Sequence, residues 1–203
     1  MRLFVVWALQ LPVGWILHFC VKGRTLRYLY CLVTGVLGML YFYGQDSLQV
    51  ALMGGVTYAL MLVVPREKVH IAVMVWVFGS LSYSHLMAVL YEFGSYKLNV
   101  TTNTMLLVCR LQALSYAYMD GGKDESKLSE NQKRMRVVDL PSPLEFATFV
   151  FFMQSCALGV FFEFRDMKAL LECTHEYRDV PSPVFQSLRT FVEGLCCLGL
   201  FAV

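Results

Sequence analysis

Apolar residues fall into long runs separated by short polar breaks. The runs are Leu3–Val21, Tyr28–Tyr43, Leu48–Val64, Val69–Tyr91, Thr104–Met119, Leu144–Phe162 and Val184–Val203. A helix needs roughly 20 residues to cross the hydrocarbon core of a bilayer, with about 17–25 usual. The second and fifth runs are slightly short and need interfacial residues to complete a span. Tyrosines stand at run ends (Tyr28, Tyr30, Tyr41, Tyr43, Tyr91, Tyr118), as an aromatic belt requires. The pattern predicts an all-α chain, a polytopic transmembrane helix bundle of about six or seven membrane segments.

Composition agrees. The 203 residues are 57% hydrophobic and only 16% charged, with a mean hydropathy of +0.55. A soluble domain carries about a quarter charged residues. A net charge of +2 gives no reason to expect a nucleic-acid partner. The seven cysteines do not read as a disulfide scaffold, and no Cys/His spacing suits a metal. Arg2 followed by LFVVWALQL resembles the start of a signal peptide. No small-residue cleavage site follows, so it reads as a retained first span.

Seven spans in strict alternation put Lys22, Arg24, Arg27, Arg66, Lys68, Lys123, Lys127, Lys133, Arg134 and Arg136 on one side, and Arg2, Lys97, Arg165, Lys168 and Arg178 on the other. The basic excess assigns the first set to the cytosol. A short amphipathic helix in EFRDMKALLECTHEYRD, lying along the interface, would break this alternation. The most polar stretch is the loop at residues 120–140, placed in the cytosol by the same count.

Two turns share one grammar, Leu140–Pro143 and Val180–Pro183, and each precedes an apolar run. Ser142 fits an N-cap, Pro143 the first helical position and Glu145 the third, which makes a capping box. Ser182–Pro183 repeats the cap and proline without the glutamate. Asp120-Gly121-Gly122-Lys123 lacks the spacing of a phosphate-binding loop and reads as a turn ending the fifth run.

Polar residues inside the apolar runs are the candidate chemistry. Arg110 and Gln112 interrupt the fifth run, and His85 the fourth. Arginine near the bilayer centre costs about 2.5–3.5 kcal/mol on insertion scales, so it belongs against protein or a wet cavity. Two readings fit Arg110: a cation lining a lipid or acyl-CoA cavity, or a structural ion pair or snorkelling side chain. His85, after Ser80, Ser82 and Ser84, suits a hydrogen-bonded structural role better than that of a base. The candidate lining of a substrate cavity is therefore Arg110, Gln112, His85, Asp120 and Glu145. The loop Lys123–Arg136 reads either as a solvated linker of mixed charge or as an attractor of anionic phosphates.

Four segments carry a resemblance: FGSYKLNVTTNTML, then RLQALSYAYMDGGKD with KLSENQ downstream, then LPSPLEF, then LGVFFEFRD. In order and spacing the chain resembles the N-terminal part of a membrane-bound O-acyltransferase, and within that family the lysophospholipid acyltransferases. The DGGKD form is most similar to the lysophosphatidylcholine subgroup. One departure is Leu158-Gly159-Val160, where the family usually reads Val-Gly-Pro. The resemblance implies one domain over residues 1–203, an incomplete acyltransferase fold. It implies an integral protein of the endoplasmic reticulum membrane that transfers an acyl group from acyl-CoA to a lysophospholipid hydroxyl. Acyl-CoA is then a co-substrate, with no further cofactor and no metal.

The same resemblance puts the catalytic histidine in a C-terminal half that this chain lacks. None of His18, His70, His85 or His175 stands in the matching motif, so no catalytic residue is expected here and the chain alone is expected to be inactive. The last run reaches Val203 without a polar flank, which reads as an interrupted chain. The alternative is a non-catalytic membrane scaffold or a truncated regulatory partner of a full-length acyltransferase. A small transporter or channel fits poorly, since neither a second-half repeat nor paired broken helices occur.

Overall fold

The computed structural model describes residues 2–91, 100–152, 160–174, 177 and 182–201. Among them, regular structure is entirely helical. The helices are α1 (Arg2–Phe19), α2 (Arg24–Tyr43), α3 (Ser47–Val63), α4 (Val69–Tyr91), α5 (Thr101–Asp120), α6 (Glu130–Met135), α7 (Pro143–Val150), α8 (Phe164–Glu172) and α9 (Val184–Phe201). The second and fifth runs do extend at their ends: α2 takes in Arg24 to Arg27, and α5 takes in Thr101 and Asp120.

Helices α2 and α3 are joined by a single 3-10 turn, Gly44–Asp46. Gly44 stands at φ 60, where a side chain would be strained, and its N–H caps the Leu40 carbonyl. Among the described residues, two helical stretches are long and apolar enough to cross a membrane, Arg24–Val63 and Val69–Tyr91. Each buries one stripe and leaves the rest apolar and uncovered. On α4, Val69, Val73 and Val77 are fully buried at four-residue spacing, while Val75, Leu86 and Leu90 are exposed. That is the profile of a helix with one face to protein and the others to lipid.

The core forms where α2, α3, α4 and α5 converge on α7 and α8, around Tyr28, Met39, Met53, Leu107, Leu111, Phe149 and Leu171. Gly54 lets α3 approach α7 closely, because a Cβ there would lie 3.0 Å from both methyls of Val150. At the far end of the chain, Trp15 of α1 donates its indole N–H to Ser187 Oγ of α9 at 3.0 Å.

The sixth apolar run is not one continuous helix. α7 begins at Pro143 and ends at Val150, about 12 Å of rise, too short to cross a bilayer. Phe162 and Phe164 pack edge-on against Phe149, at 5.6 and 5.5 Å between ring centres. Strict alternation is corrected accordingly. Arg165 reaches the carbonyls of Lys133 and Arg136, and Lys168 pairs with Glu145, so both lie at the same end of the bundle as the 120–140 loop. The shift enlarges the basic excess at that end. The amphipathic segment does form α8, but its apolar face (Phe164, Met167, Leu171) is buried in the protein core. Leu158-Gly159, the Phe93–Asn99 part of the first motif, and His175 lie outside the described residues.

Candidate functional site

The 120–140 loop is folded back onto the end of α5. Asp120 closes that helix and is buried; it pairs with Lys123 at 2.8 Å and accepts from Gln132 Nε2 at 3.1 Å. Gln132 belongs to a capping box with Ser129 that starts α6. The S-x-x-Q spacing in KLSENQ is its sequence signature. Farther on, the Val137 N–H donates to the Ala117 carbonyl at 2.9 Å.

Arg66, from the α3–α4 turn, locks this arrangement. Its Nε donates to the Tyr118 carbonyl and its Nη2 to the Val137 carbonyl, both at 2.6 Å, and the guanidinium lies 4.3 Å from the centre of the Tyr118 ring. Gly121 is required by this closeness: a Cβ there would come within 2.0 Å of the Val137 carbonyl oxygen.

Beyond the strap lies a charged cavity of about 450 Å³, walled by the start of α2, residues 136–142, the start of α7, and α8. The described lining carries Arg24, Arg136, Arg165 and Lys168, with Asp139, Glu145 and Glu172. Ser142 and Glu145 form the capping box that the LPSPLE segment predicts. The capping carboxylate also takes an ion pair from Arg24 at 2.8 Å and another from Lys168 at 3.2 Å. Burial pushes the Glu145 carboxyl up, but the Ser142 N–H, Arg24 and Lys168 together outweigh it and hold the group at about 2. Arg24 bridges on to Glu172 at 2.9 Å, which also accepts from the Tyr28 hydroxyl at 3.3 Å.

Of the five residues singled out from sequence, Glu145 lines this pocket. Arg110 sits at the opposite end of the same short helix. It is 2% exposed, donates to the Phe149 carbonyl, and lies 4.6 and 4.0 Å from the ring centres of Phe149 and Phe162. The carbonyls of a helix's last turn have no partner within the helix, so Arg110 supplies one for α7. Gln112 donates to the His70 carbonyl at 3.3 Å, joining α5 to α4. Asp120 serves the strap. His85 is exposed on α4, beside the buried Ser84. Nothing in the sequence marks Arg24, Arg66, Arg165 and Lys168 as site residues, because there they count only as charges between apolar runs.

A second, larger cavity of about 800 Å³ opens between α3, α4 and the start of α5. Its walls include Leu48, Leu52, Met53, Val75, Trp76 and Met87. Gln49 donates to Ser84 Oγ within it, and Ser84 donates to the Ser80 carbonyl at 2.8 Å.

Comparison with known proteins decides the family. The model of the membrane-bound O-acyltransferase family matches residues 85–203, more than half of the chain. The chain belongs to the membrane-bound O-acyltransferase family. Among curated relatives it is 25% identical over 202 residues to lysophospholipid acyltransferase 6 of Drosophila melanogaster, covering 91% of this chain and 28% of that protein. It is 28% identical over 186 residues to lysophospholipid acyltransferase 5 of the same species, covering 89% of this chain and 37% of the relative. Human lysophospholipid acyltransferase 5 is 32% identical over 108 residues, 53% of this chain and 22% of the relative. The chain thus spans 22–37% of the length of these three relatives. Its family and its two membrane-length stretches make it an integral membrane protein.

Proposed function

We propose that this chain is part of an acyl-CoA-dependent lysophospholipid O-acyltransferase acting in phospholipid remodelling. The family match over residues 85–203 carries the reading. The names of the curated relatives give the acceptor class. The 800 Å³ cavity supports it: its mostly apolar walls open outward between membrane-length helices past the exposed Leu48, Leu52 and Val75, a surface along which an acyl chain can lie. On this reading the 203 residues supply scaffold and cavity wall, and a histidine on a further segment supplies the base. Proton removal from the acceptor hydroxyl needs a base about 2.6–3.2 Å away or through one water. The charged pocket and the 120–140 strap then face the cytosol, and the membrane is that of the endoplasmic reticulum.

The test is transfer from radiolabelled acyl-CoA to lysophosphatidylcholine and other lysophospholipids, in microsomes that lack endogenous activity. The 203 residues alone are expected to give no turnover, and the same residues joined to the histidine-bearing segment are expected to give it. Turnover by the 203 residues alone that His85→Ala abolishes would make His85 the base. No transfer to any lysophospholipid by the joined protein would end the acyltransferase reading.

A further inference from the structure

The charged pocket is level with the end of a membrane-length helix, since the stretch Arg24–Val63 begins with a residue of its wall. That is the depth at which phospholipid headgroups lie, and basic pockets there recruit their phosphates. The cations of the wall are unequally engaged. Arg24 and Lys168 are held by Glu145 and Glu172. Arg136 pairs with Glu125, an exposed side chain outside the pocket lining. Arg165 donates only to main-chain carbonyls, at 3.5 and 3.4 Å, and pairs with no carboxylate among the described residues.

Two half-buried guanidinium groups with donors to spare therefore share one cavity of about 450 Å³. The guanidinium fork matches phosphate oxygens in pairs, and an ammonium does not. A phosphomonoester offers three acceptor oxygens and about −1.5 to −2 of charge.

We propose that this pocket is a phosphomonoester-binding site, with Arg165 and Arg136 as its ligands and the Arg24–Glu145–Lys168 network as its rigid floor. Two sources carry such a group to this depth: the headgroup of an anionic lipid of the phosphatidic acid type, and the 3′-phosphate of CoA. The CoA source rests on the acyltransferase reading; the lipid source does not.

Binding is measured on the full chain, without catalysis. One arm uses nanodiscs of phosphatidylcholine with a minor share of phosphatidic acid against phosphatidylcholine alone, and scores retained lipid and melting temperature. The other titrates CoA against dephospho-CoA. Retention of phosphatidic acid identifies the lipid as the source. Preference for CoA over dephospho-CoA identifies the nucleotide. In either case Arg165→Gln with Arg136→Gln should weaken binding at least about tenfold. Arg189→Gln removes an exposed pair with Glu193 on α9 and should leave binding unchanged.

Binding of neither probe, or binding that the double variant leaves intact, overturns the proposal. Should the double variant not fold, photoreactive phosphatidic acid and photoreactive CoA on the unmodified protein decide the matter. Labelling of residues 133–136 and 164–174 upholds the site, and labelling only elsewhere refutes it. Acyl transfer enters none of these readouts, so failure of the catalytic reading and failure of this site are separable.

Discussion

Arg110 meets Phe149 twice: its guanidinium donates to the Phe149 carbonyl and lies 4.6 Å from the centre of the Phe149 ring. The same group lies 4.0 Å from the centre of the Phe162 ring, which itself packs edge-on against Phe149. A half-length helix such as α7 has two ends inside the protein, and both need partners. Ser142 and Glu145 cap one end and Arg110 the other. Arg110→Leu removes the donor and the stacked cation together. The expected result is a loss of about 2–3 kcal/mol, read as lower melting temperature and lower abundance. Arg110→Lys keeps the charge without the planar fork and should recover only part of that loss. Reduced acyl transfer by Arg110→Leu at full stability would instead make Arg110 a cavity-lining group.

The two adjacent glycines of the DGGK turn are not equivalent. A Cβ on Gly121 meets a backbone oxygen at 2.0 Å, whereas one on Gly122 meets only the Arg66 side chain at its closest, Cδ at 3.0 Å and Nε at 3.1 Å. Gly121→Ala should therefore unseat residues 121–137 and open them to protease, while Gly122→Ala, which asks only a small shift of the Arg66 side chain, should open them much less. Gly55→Ala, in open space on α3, should stabilise the helix by about 0.5–1 kcal/mol. Equal protease sensitivity in the two turn variants would show that the close approach is not what the first glycine serves.

Glu145 titrates at about 2, below the ordinary glutamate value of 4.5. Its ionised form is favoured by the folded state, so its stabilising effect is present above the ordinary value and fades as pH falls through about 2. The melting-temperature difference between the native protein and Glu145→Gln should be largest near neutral pH and should shrink between about pH 5 and 2. A difference that stays constant over that window would mean that the carboxylate's charge contributes nothing.

Local features were legible from sequence, and long-range ones were not. Ser142, Pro143 and Glu145 are within four positions of one another, and their capping geometry follows from that spacing alone. Asp120 as a helix end is equally local. The partner of Arg110 is 39 positions away and is a main-chain carbonyl freed by a helix end. Nothing in the apolar text FVFFMQSCALGVFF marks that end, because composition does not separate a half-helix from a full span. The sides of Arg165 and Lys168 were misassigned for the same reason. The charged pocket stayed hidden because its walls come from four segments that only tertiary packing assembles.

The orientation itself is testable, and the structure chooses the positions to probe. Ser129 is a poor labelling site, since its side chain accepts the Gln132 N–H and caps α6. Ser126 is exposed in the same loop, with no such duty among its described contacts. Gln45 is exposed in the turn between α2 and α3, at the other end of two helices that each rise about 25–30 Å. In a version otherwise free of cysteine, Ser126→Cys should react with an impermeant maleimide added outside sealed microsomes. Gln45→Cys should react only after the membrane is opened. The basic residues gathered at the Arg24 end, now including Arg165 and Lys168, are the reason for that sign. Reversed labelling would invert the bundle and put the charged pocket in the lumen. Labelling of both positions from outside would mean that Arg24–Tyr43 does not cross the membrane at all.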